Sequence, residues 1–404
     1  MNVALIFGGR SPEHEVSIVT AHQVNAALAE THEVIPIYIT KEGAWLTGDK
    51  LKELNTFTEG NLPRASDFDA VSIEFGTHAK FSVLPKRSGL FNKKRELPID
   101  VVFPAIHGVH GEDGSLQGLL ELIDIPYVGA SVVGSGVGMD KIMMKAILSE
   151  NELPILPYVP FTKHNWDSAS NDVLAIIKKK IPFPVYVKPA VSGSSIGVSQ
   201  ARDEDELRDA IELACRYCRR IVVEQGIKNG FEINCSVIGT HTPTPSVCEQ
   251  PIASTDFLSF DDKYIHQNSD SEDAPDVSSG MAGAQREIPA PIPEELTLHI
   301  QNLATLAFQV LDCAGIARID FLVTDEEQVY VNEINTIPGS FSFYLWEPVG
   351  IPFPELVSQL VDLALETHQE KNRLIYSYST NLLSQAGASF AKLKTDELES
   401  KETL

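Results

Sequence analysis

The residues best suited to chemistry gather in two neighbouring segments. Residues 329–339 read Val-Tyr-Val-Asn-Glu-Ile-Asn-Thr-Ile-Pro-Gly, which predicts a β-strand that stops at Pro338-Gly339. Side chains alternate along a strand, so Glu333 and Asn335 share a face. Residues 317–323 read Ala-Arg-Ile-Asp-Phe-Leu-Val and place Arg318 and Asp320 together by the same rule. The short turn Thr324-Asp325-Glu326-Glu327, followed by Gln328, separates the two segments. Paired as a hairpin, they bring an Arg, an Asp, a Glu and an Asn to one surface. Hard oxygen ligands beside a fixed guanidinium suit a metal–nucleotide site, because Mg²⁺ takes one or two carboxylates plus substrate phosphates. The same residues on an isolated hairpin would also suit a solvated face.

The elements that must position them belong to a chain of 404 residues, enough for about two to three domains. Its 43% hydrophobic content allows a sizeable core. The net charge of −24 argues against nucleic acid or an anionic membrane as partner, while leaving room for a local basic phosphate pocket. No apolar run reaches bilayer-spanning length, and the N-terminus reads as a first strand rather than a signal peptide. Five scattered cysteines predict no disulfide framework, and Cys215-x-x-Cys218 lacks a second pair to complete a zinc site. A reducing cytoplasm fits this composition.

Residues 3–7, 16–28 and 34–39 read as strand, helix and strand, a βαβ start to a parallel sheet. Residues 41–98 read as irregular, with short strand-like pieces at 70–75 and 80–84. A buried strand at 100–106 leads into a glycine-rich loop, 107–115, and a helix at 116–123. Glycines 134, 136 and 138 look like a domain junction. Beyond it the pattern predicts a helix at 141–150, strands at 185–188 and 196–199, a helix at 203–219 and a strand at 221–224. Antiparallel strands follow at 231–238 and 246–252. The acidic stretch 256–283 is expected to form a loop over a site, residues 293–313 a helix, and the last helix to end near Glu370. The polar tail 371–404 is assigned no chemistry.

The classical phosphate loop and the dinucleotide fingerprint are both absent. The phosphate candidate is Lys188-Pro189-Ala190-Val191-Ser192-Gly193-Ser194-Ser195-Ile196-Gly197. Here a lysine ends a strand, and a small-residue turn can close backbone N–H groups and hydroxyls on an anion. An ordinary Gly/Ser turn would read the same way. A second lysine, Lys141, follows Gly138-Met139-Asp140.

In order along the chain, these pieces resemble the D-alanine–D-alanine ligase family of the ATP-grasp superfamily. The resemblance covers most of residues 1–367 and rests on five motifs. They are Phe7-Gly8-Gly9-Arg10-Ser11-Pro12-Glu13-His14-Glu15-Val16-Ser17; residues 107–118; Gly138-Met139-Asp140-Lys141; Val187-Lys188-Pro189 with the turn after it; and the Arg318/Asp320 and Glu333/Asn335 strands with Pro338-Gly339. The resemblance implies an α/β ATP-grasp protein with α+β elements and three domains. An N-terminal parallel-sheet substrate domain (1–138) precedes central (139–224) and C-terminal (225–370) ATP-grasp subdomains, with 371–404 as an extension.

It implies an ATP-dependent ligase that joins two D-alanines for peptidoglycan through an acyl phosphate. Glu15 would hold the first amino acid's ammonium, with His107 nearby. Lys141 and Lys188 would contact ATP phosphates together with Ser194 and Ser195, and Lys263 would reach the γ-phosphate. Glu224 and Gln225 would meet the adenine edge, where Gln225 departs from the family's usual lysine, and Glu232 would bind the ribose. Ser194 and Tyr264 would join Glu15 in a network that closes a loop. Asp320, Glu333 and Asn335 would hold two Mg²⁺, with Mn²⁺ able to substitute. Arg318 and the Gly339 N–H would stabilise the oxyanion, and Ser342 would hold the second substrate's carboxylate. Implied partners are ATP and D-alanine, with neither nucleic acid nor membrane; a homodimer stays open. The chain departs from the family most after Pro338-Gly339, where it reads Ser340-Phe341-Ser342-Phe343-Tyr344-Leu345-Trp346-Glu347 and Tyr344 stands in a serine's place. A sibling ligase with another amino or hydroxy acid as acceptor therefore remains an alternative, as does a non-catalytic nucleotide-binding regulator.

Overall fold

In the computed structural model the described residues are all but 59–62, 76–79, 85–93, 228, 253–284, 378, 384–385 and 387–404. Strand β1 (Asn2–Gly8) passes through a glycine turn into helix α1 (His14–Leu28) and on to β2 (Glu33–Ile39). β1 and β2 are parallel, with Val3 opposite Val34. The apolar run of β1 is buried from Val3 onward, as a strand covered on both faces requires. The segment read as irregular contains β3 (Trp45–Thr47), α2 (Asn55–Thr58), β4 (Asp69–Glu74), β5 (Lys80–Val83) and β6 (Arg95–Glu96). Its strands extend the sheet antiparallel to one side, and β7 (Val101–Pro104) pairs parallel with β1 on the other. The sheet order is β6-β5-β4-β3-β2-β1-β7.

Helices α3 (Ser115–Leu122) and α4 (Val132–Met139) follow. Gly134, Gly136 and Gly138, read from sequence as a junction, lie inside α4. The missing side chains allow close packing. A Cβ on Gly134 would sit 2.3 Å from the Asp312 carbonyl oxygen, and one on Gly138 would sit 2.9 Å from Thr336 Cγ2. Helix α5 (Lys141–Glu150) starts at once, because the Asp140 carboxylate accepts from the Ile142 and Met143 N–H groups at 3.1 and 3.2 Å.

The second sheet is built from β8 (Tyr158–Thr162), α6 (Lys163–Lys180), β9 (Val185–Pro189), β10 (Ser199–Ala201), α7 (Glu204–Ala214) and β11 (Arg220–Gln225). Its strands are antiparallel in the order β10-β9-β11-β8. Sequence reading missed α6. Its signals are a capping box between Thr162 and Asn165, and the buried stripe Trp166, Val173, Leu174 and Ile177. Residues 196–198, expected in a strand, form a turn with Gly197 at φ +74°.

The third sheet holds β12 (Gly230–Gly239), β13 (Thr244–Pro251), β14 (Arg286–Glu287), β15 (Gly315–Thr324) and β16 (Val329–Asn335). It is antiparallel in the order β14-β13-β12-β15-β16. Helix α8 (Glu294–Val310) covers one face, with Ile300, Ala304 and Phe308 packed among Ile233, Ile319, Phe321 and Val331. Leu356 and Leu360 of helix α9 (Phe353–Lys371) share a core with Phe7, Phe103, Phe341 and Trp346. All three sheets lie in the compact unit Met1–Thr367; in the second unit, His368–Leu404, the Asn372 N–H donates to the His368 carbonyl at 3.0 Å. Among the described residues no helix is long and apolar enough to cross a membrane.

Candidate active site

The hairpin expected from sequence is β15–β16. Arg318 stands opposite Asn335, and Asp320 opposite Glu333. The register then slips, because Phe321 faces Val331 and leaves Asn332 as an extra residue. This β-bulge resolves a conflict in the strand. Val329, Val331 and Ile334 all enter the core, which an unbroken period of two forbids. Asn332, Glu333 and Asn335 stay half-buried.

Arg318 grips Asp320 with two hydrogen bonds, Nε to Oδ1 at 2.7 Å and Nη2 to Oδ2 at 2.8 Å. Asn335 Nδ2 donates to Asp320 Oδ2 at 3.0 Å. Burial opposes the Arg318 charge, yet Asp320 outweighs it and holds the guanidinium pKa well above its ordinary value. Arg318 is thus a fixed cation with a planar donor fork.

Opposite stands a lysine wall. Lys141, the first residue of α5, donates to the Ser192 carbonyl at 2.9 Å and lies 3.5 Å from Glu333 Oε2. Lys188, near the end of β9, donates to Glu224 Oε2 at 2.8 Å and to Asn332 Oδ1 at 3.2 Å. Glu224 Oε1 lies 3.4 Å from Lys145, which is 1% exposed. Burial opposes the Lys188 charge, but Glu224 and then Glu333 raise its pKa. Lys145 is lowered by burial, which Glu224 offsets only in part.

The third wall comes from loops of the first sheet. Glu13, just before α1, accepts a short hydrogen bond from Ser194. Gly108 and Gly193 make room for it: a Cβ would fall 2.4 and 2.3 Å from Glu13 Oε2, respectively. His107 Nε2 meets Thr20 Oγ1 at 2.9 Å, and burial depresses the imidazole pKa to about 4, so the ring is neutral. Glu112 accepts from the Gly108 N–H at 2.7 Å and the Ile337 N–H at 3.2 Å. Burial, then the Glu13 charge, push its carboxyl up to about 8.

Of the sequence-predicted residues, His107, Lys141, Ser194, Arg318, Glu333 and Asn335 line one cleft, with Gly339 beside them. Asp320 stands behind Arg318, held by its fork. Ser195 adopts a left-handed conformation (φ +59°), Gln225 ends β11, and Glu232 lies opposite Leu322. Lys263 and Tyr264 fall outside the described residues.

Three expectations need correction. Glu15 points away from the cleft: its side chain is 77% exposed and pairs with Lys41 at 3.1 Å. Glu13, two residues earlier, is the carboxylate at the cleft. The helix begins at His14, so a two-residue step turns Glu15 about 200° around its axis. Glu224 is 2% exposed, with its two oxygens directed at Lys188 and Lys145, so it supports the lysines rather than presenting an edge to adenine. Ser342 is fully buried, its hydroxyl without a hydrogen-bond partner among the described residues, and it is not part of the cleft lining.

Sequence reading also missed Glu112 and Asn332. Glu112 lay within the glycine-rich loop already singled out, where an acid between glycines was the signal. Asn332 became visible only through the bulge.

The family models of the D-Ala-D-Ala ligase N-terminus and C-terminus match residues 2–130 and 147–362. The chain belongs to the D-alanine–D-alanine ligase family. It has the ATP-grasp fold and is an ATP-dependent ligase. The D-alanine–D-alanine ligase of Coxiella burnetii is 31% identical, with a TM-score of 0.76 over 92% of this chain and 96% of that one. The VanG D-Ala:D-Ser ligase of Enterococcus faecalis is 27% identical, with a TM-score of 0.73 over 90% and 99%. The D-alanyl-alanine synthetase A of Vibrio cholerae is 26% identical, with a TM-score of 0.69 over 91% and 99%.

Proposed function

We propose that this ligase joins two D-alanines into D-alanyl-D-alanine for peptidoglycan, through an acyl phosphate. The observation that carries the reading is the convergence of Arg318, Glu333, Asn335, Lys141 and the Glu13–Ser194 pair on one cleft. A carboxylate is a poor electrophile. Its oxygen attacks the γ-phosphorus of ATP, ADP leaves, and the carbonyl is activated. The amine of the second amino acid then attacks that carbonyl, and phosphate departs with the former carboxylate oxygen.

Glu13 takes the first amino acid's ammonium, with neutral His107 beside it. Lys141 and Lys188 hold ATP phosphates, a task of positioning and charge neutralisation. Ser194, Ser195 and Lys263 contribute to the same hold, while Gln225 and Glu232 serve the nucleoside. Arg318 and the Gly339 N–H receive the oxyanion; one preorganised donor of this kind contributes on the order of 3 kcal/mol. Water must be kept from the acyl phosphate, a role the family resemblance gives to Tyr264, which lies outside the described residues.

Among the described residues no three His, Cys, Asp or Glu cluster as a metal centre. Two facing carboxylates and an amide still fit Mg²⁺, whose remaining positions go to phosphate oxygens. Asp320, Glu333 and Asn335 would hold two such ions, with Mn²⁺ able to substitute, and the metal would neutralise phosphate charge. The three sheets are three domains, divided near residues 138, 224 and 370. The enzyme works in the cytoplasm.

A second reading, D-serine as acceptor, draws on the likeness to VanG and on the unusual turn after Gly339. The test is ADP release with D-alanine alone, then with D-serine or D-lactate added, followed by product analysis. D-Alanyl-D-alanine from D-alanine alone is expected. Product only with D-serine moves the assignment to the second reading, and preferential D-alanyl-D-lactate refutes an amine acceptor.

A further inference from the structure

Four residues lie directly opposite one another across the third sheet: Glu333 on β16, Asp320 on β15, Asn234 on β12 and Glu249 on β13. The row starts at the cleft and ends in the interior. Glu249 is 1% exposed and meets three partners. Arg286 Nη1 donates to its Oε2 at 2.7 Å, Asn234 Nδ2 to its Oε1 at 3.1 Å, and Tyr344 Oη approaches Oε1 at 3.5 Å. The Arg286 guanidinium also lies over the Tyr344 ring, 3.9 Å from its centroid, in cation–π geometry.

Tyr344 belongs to the turn Gly339–Leu345 at the cleft edge. That turn contains three consecutive non-glycine residues in left-handed conformation, Ser340, Phe341 and Ser342, with φ of 52°, 49° and 48°. Such backbone persists only where its surroundings fix it. The fixing contacts are Phe341 against Phe103, Tyr344 against Arg286 and Glu249, and Trp346 Nε1 donating to Ser236 Oγ at 3.2 Å. Ser236 is in turn opposite Arg318.

We propose that Arg286, through Glu249 and Tyr344, is a positioning residue that anchors Arg318 and the acceptor-side turn against the third sheet. The buried charges balance: Arg318 and Arg286 face Asp320 and Glu249. Without Arg286, the buried Glu249 carboxyl group is left with Arg318 as the other guanidinium it acts on, and Arg318 is drawn from Asp320 and from the cleft. The turn loses the cation that covers its tyrosine. Arg286 escaped the sequence reading because it sits on a two-residue edge strand with no motif around it.

The kinetic side of this proposal rests on the ligase reading; the anchoring side does not. Arg286→Met should lower kcat for ADP release roughly 10–100-fold, because a displacement of about 1 Å suffices for such a loss, while KM for ATP stays within about twofold. Arg286→Lys, which keeps charge without the planar fork, should recover part of it. Adding Glu249→Gln to Arg286→Met should recover kcat, since no buried carboxylate then draws Arg318 away. Independently of activity, backbone amides of residues 340–346 should exchange hydrogen faster in Arg286→Met while those of β1 stay protected. Unchanged exchange in 340–346 overturns the anchoring. Faster exchange with unchanged kcat overturns the positioning of Arg318. Absence of ADP release by the unaltered enzyme defeats the ligase reading instead, and exchange alone then decides.

Discussion

Two charged clusters face each other in this protein, and they are built from different cations in different proportion. On the lysine side, Lys141, Lys145 and Lys188 face Glu224 and Glu333, an excess of one positive charge among these described residues. On the arginine side, Arg318 and Arg286 face Asp320 and Glu249, and the charges balance. An ammonium on a flexible stem is a mobile point charge, and a guanidinium is a rigid fork. An unbalanced cluster of lysines suits an incoming polyanion whose charge changes during reaction. A balanced cluster of arginines suits a fixed geometry around a developing oxyanion. The division matches the two half-reactions of the proposed function: phosphoryl transfer first, acyl transfer second.

The largest effect should come from unbalancing the arginine side. Asp320→Ala leaves Arg318 buried without its partner and is expected to cost about 3–5 kcal/mol of stability. It should lower ADP release by on the order of 10³-fold, through loss of a charged group at the site. Denaturant unfolding and a coupled ADP assay measure the two separately.

On the lysine side, Lys188→Met should act on the nucleotide. A drop of on the order of 10²-fold in kcat/KM for ATP is expected, with KM for D-alanine within about threefold. A change confined to D-alanine would misplace the lysine wall.

Glu13→Gln removes the carboxylate proposed to hold an ammonium, a charge-assisted contact typically worth about 1.5–3 kcal/mol, so KM for the first amino acid should rise roughly 10–150-fold. Glu15→Gln is the internal control. Its carboxylate is solvated, and stability should stay within about 0.5 kcal/mol, and KM within about twofold, of the unaltered enzyme.

The last expected effect concerns pH. The folded-state pKa of Glu112 is raised, by burial first and by Glu13 second, from 4.5 to about 8. The native state therefore holds a proton that the unfolded chain has released. The stability this contributes is fully present below the unfolded value and is lost as pH rises through the folded one. Glu112→Gln should flatten the decline of Tm between about pH 4.5 and 8.

The sequence made much of this legible, and the failures have physical causes. The βαβ start, the β15–β16 hairpin and its face were readable because period-two alternation survives where one face is buried. The bulge at Asn332 was not, since nothing local marks an extra residue that only the core's demand reveals. The Glu15 expectation failed because motif matching cannot decide which of two nearby acids precedes a helix and which lies on it. Helix α6 was hidden by its polar surface, and Arg286 by the distance in sequence, 37 residues, between it and Glu249.

The division of labour is tested most directly by the ratio of ADP released to dipeptide formed, measured in Arg318→Lys beside the unaltered enzyme. Lysine keeps the buried charge opposite Asp320 but loses the fork aimed at the oxyanion. The unaltered enzyme should release one ADP per dipeptide. In Arg318→Lys the lysine wall still activates the carboxylate while acyl transfer falters, so the ratio should rise above one as the acyl phosphate is lost to water. A ratio that stays at one, with both products falling together, would contradict the assignment of separate half-reactions to the two clusters.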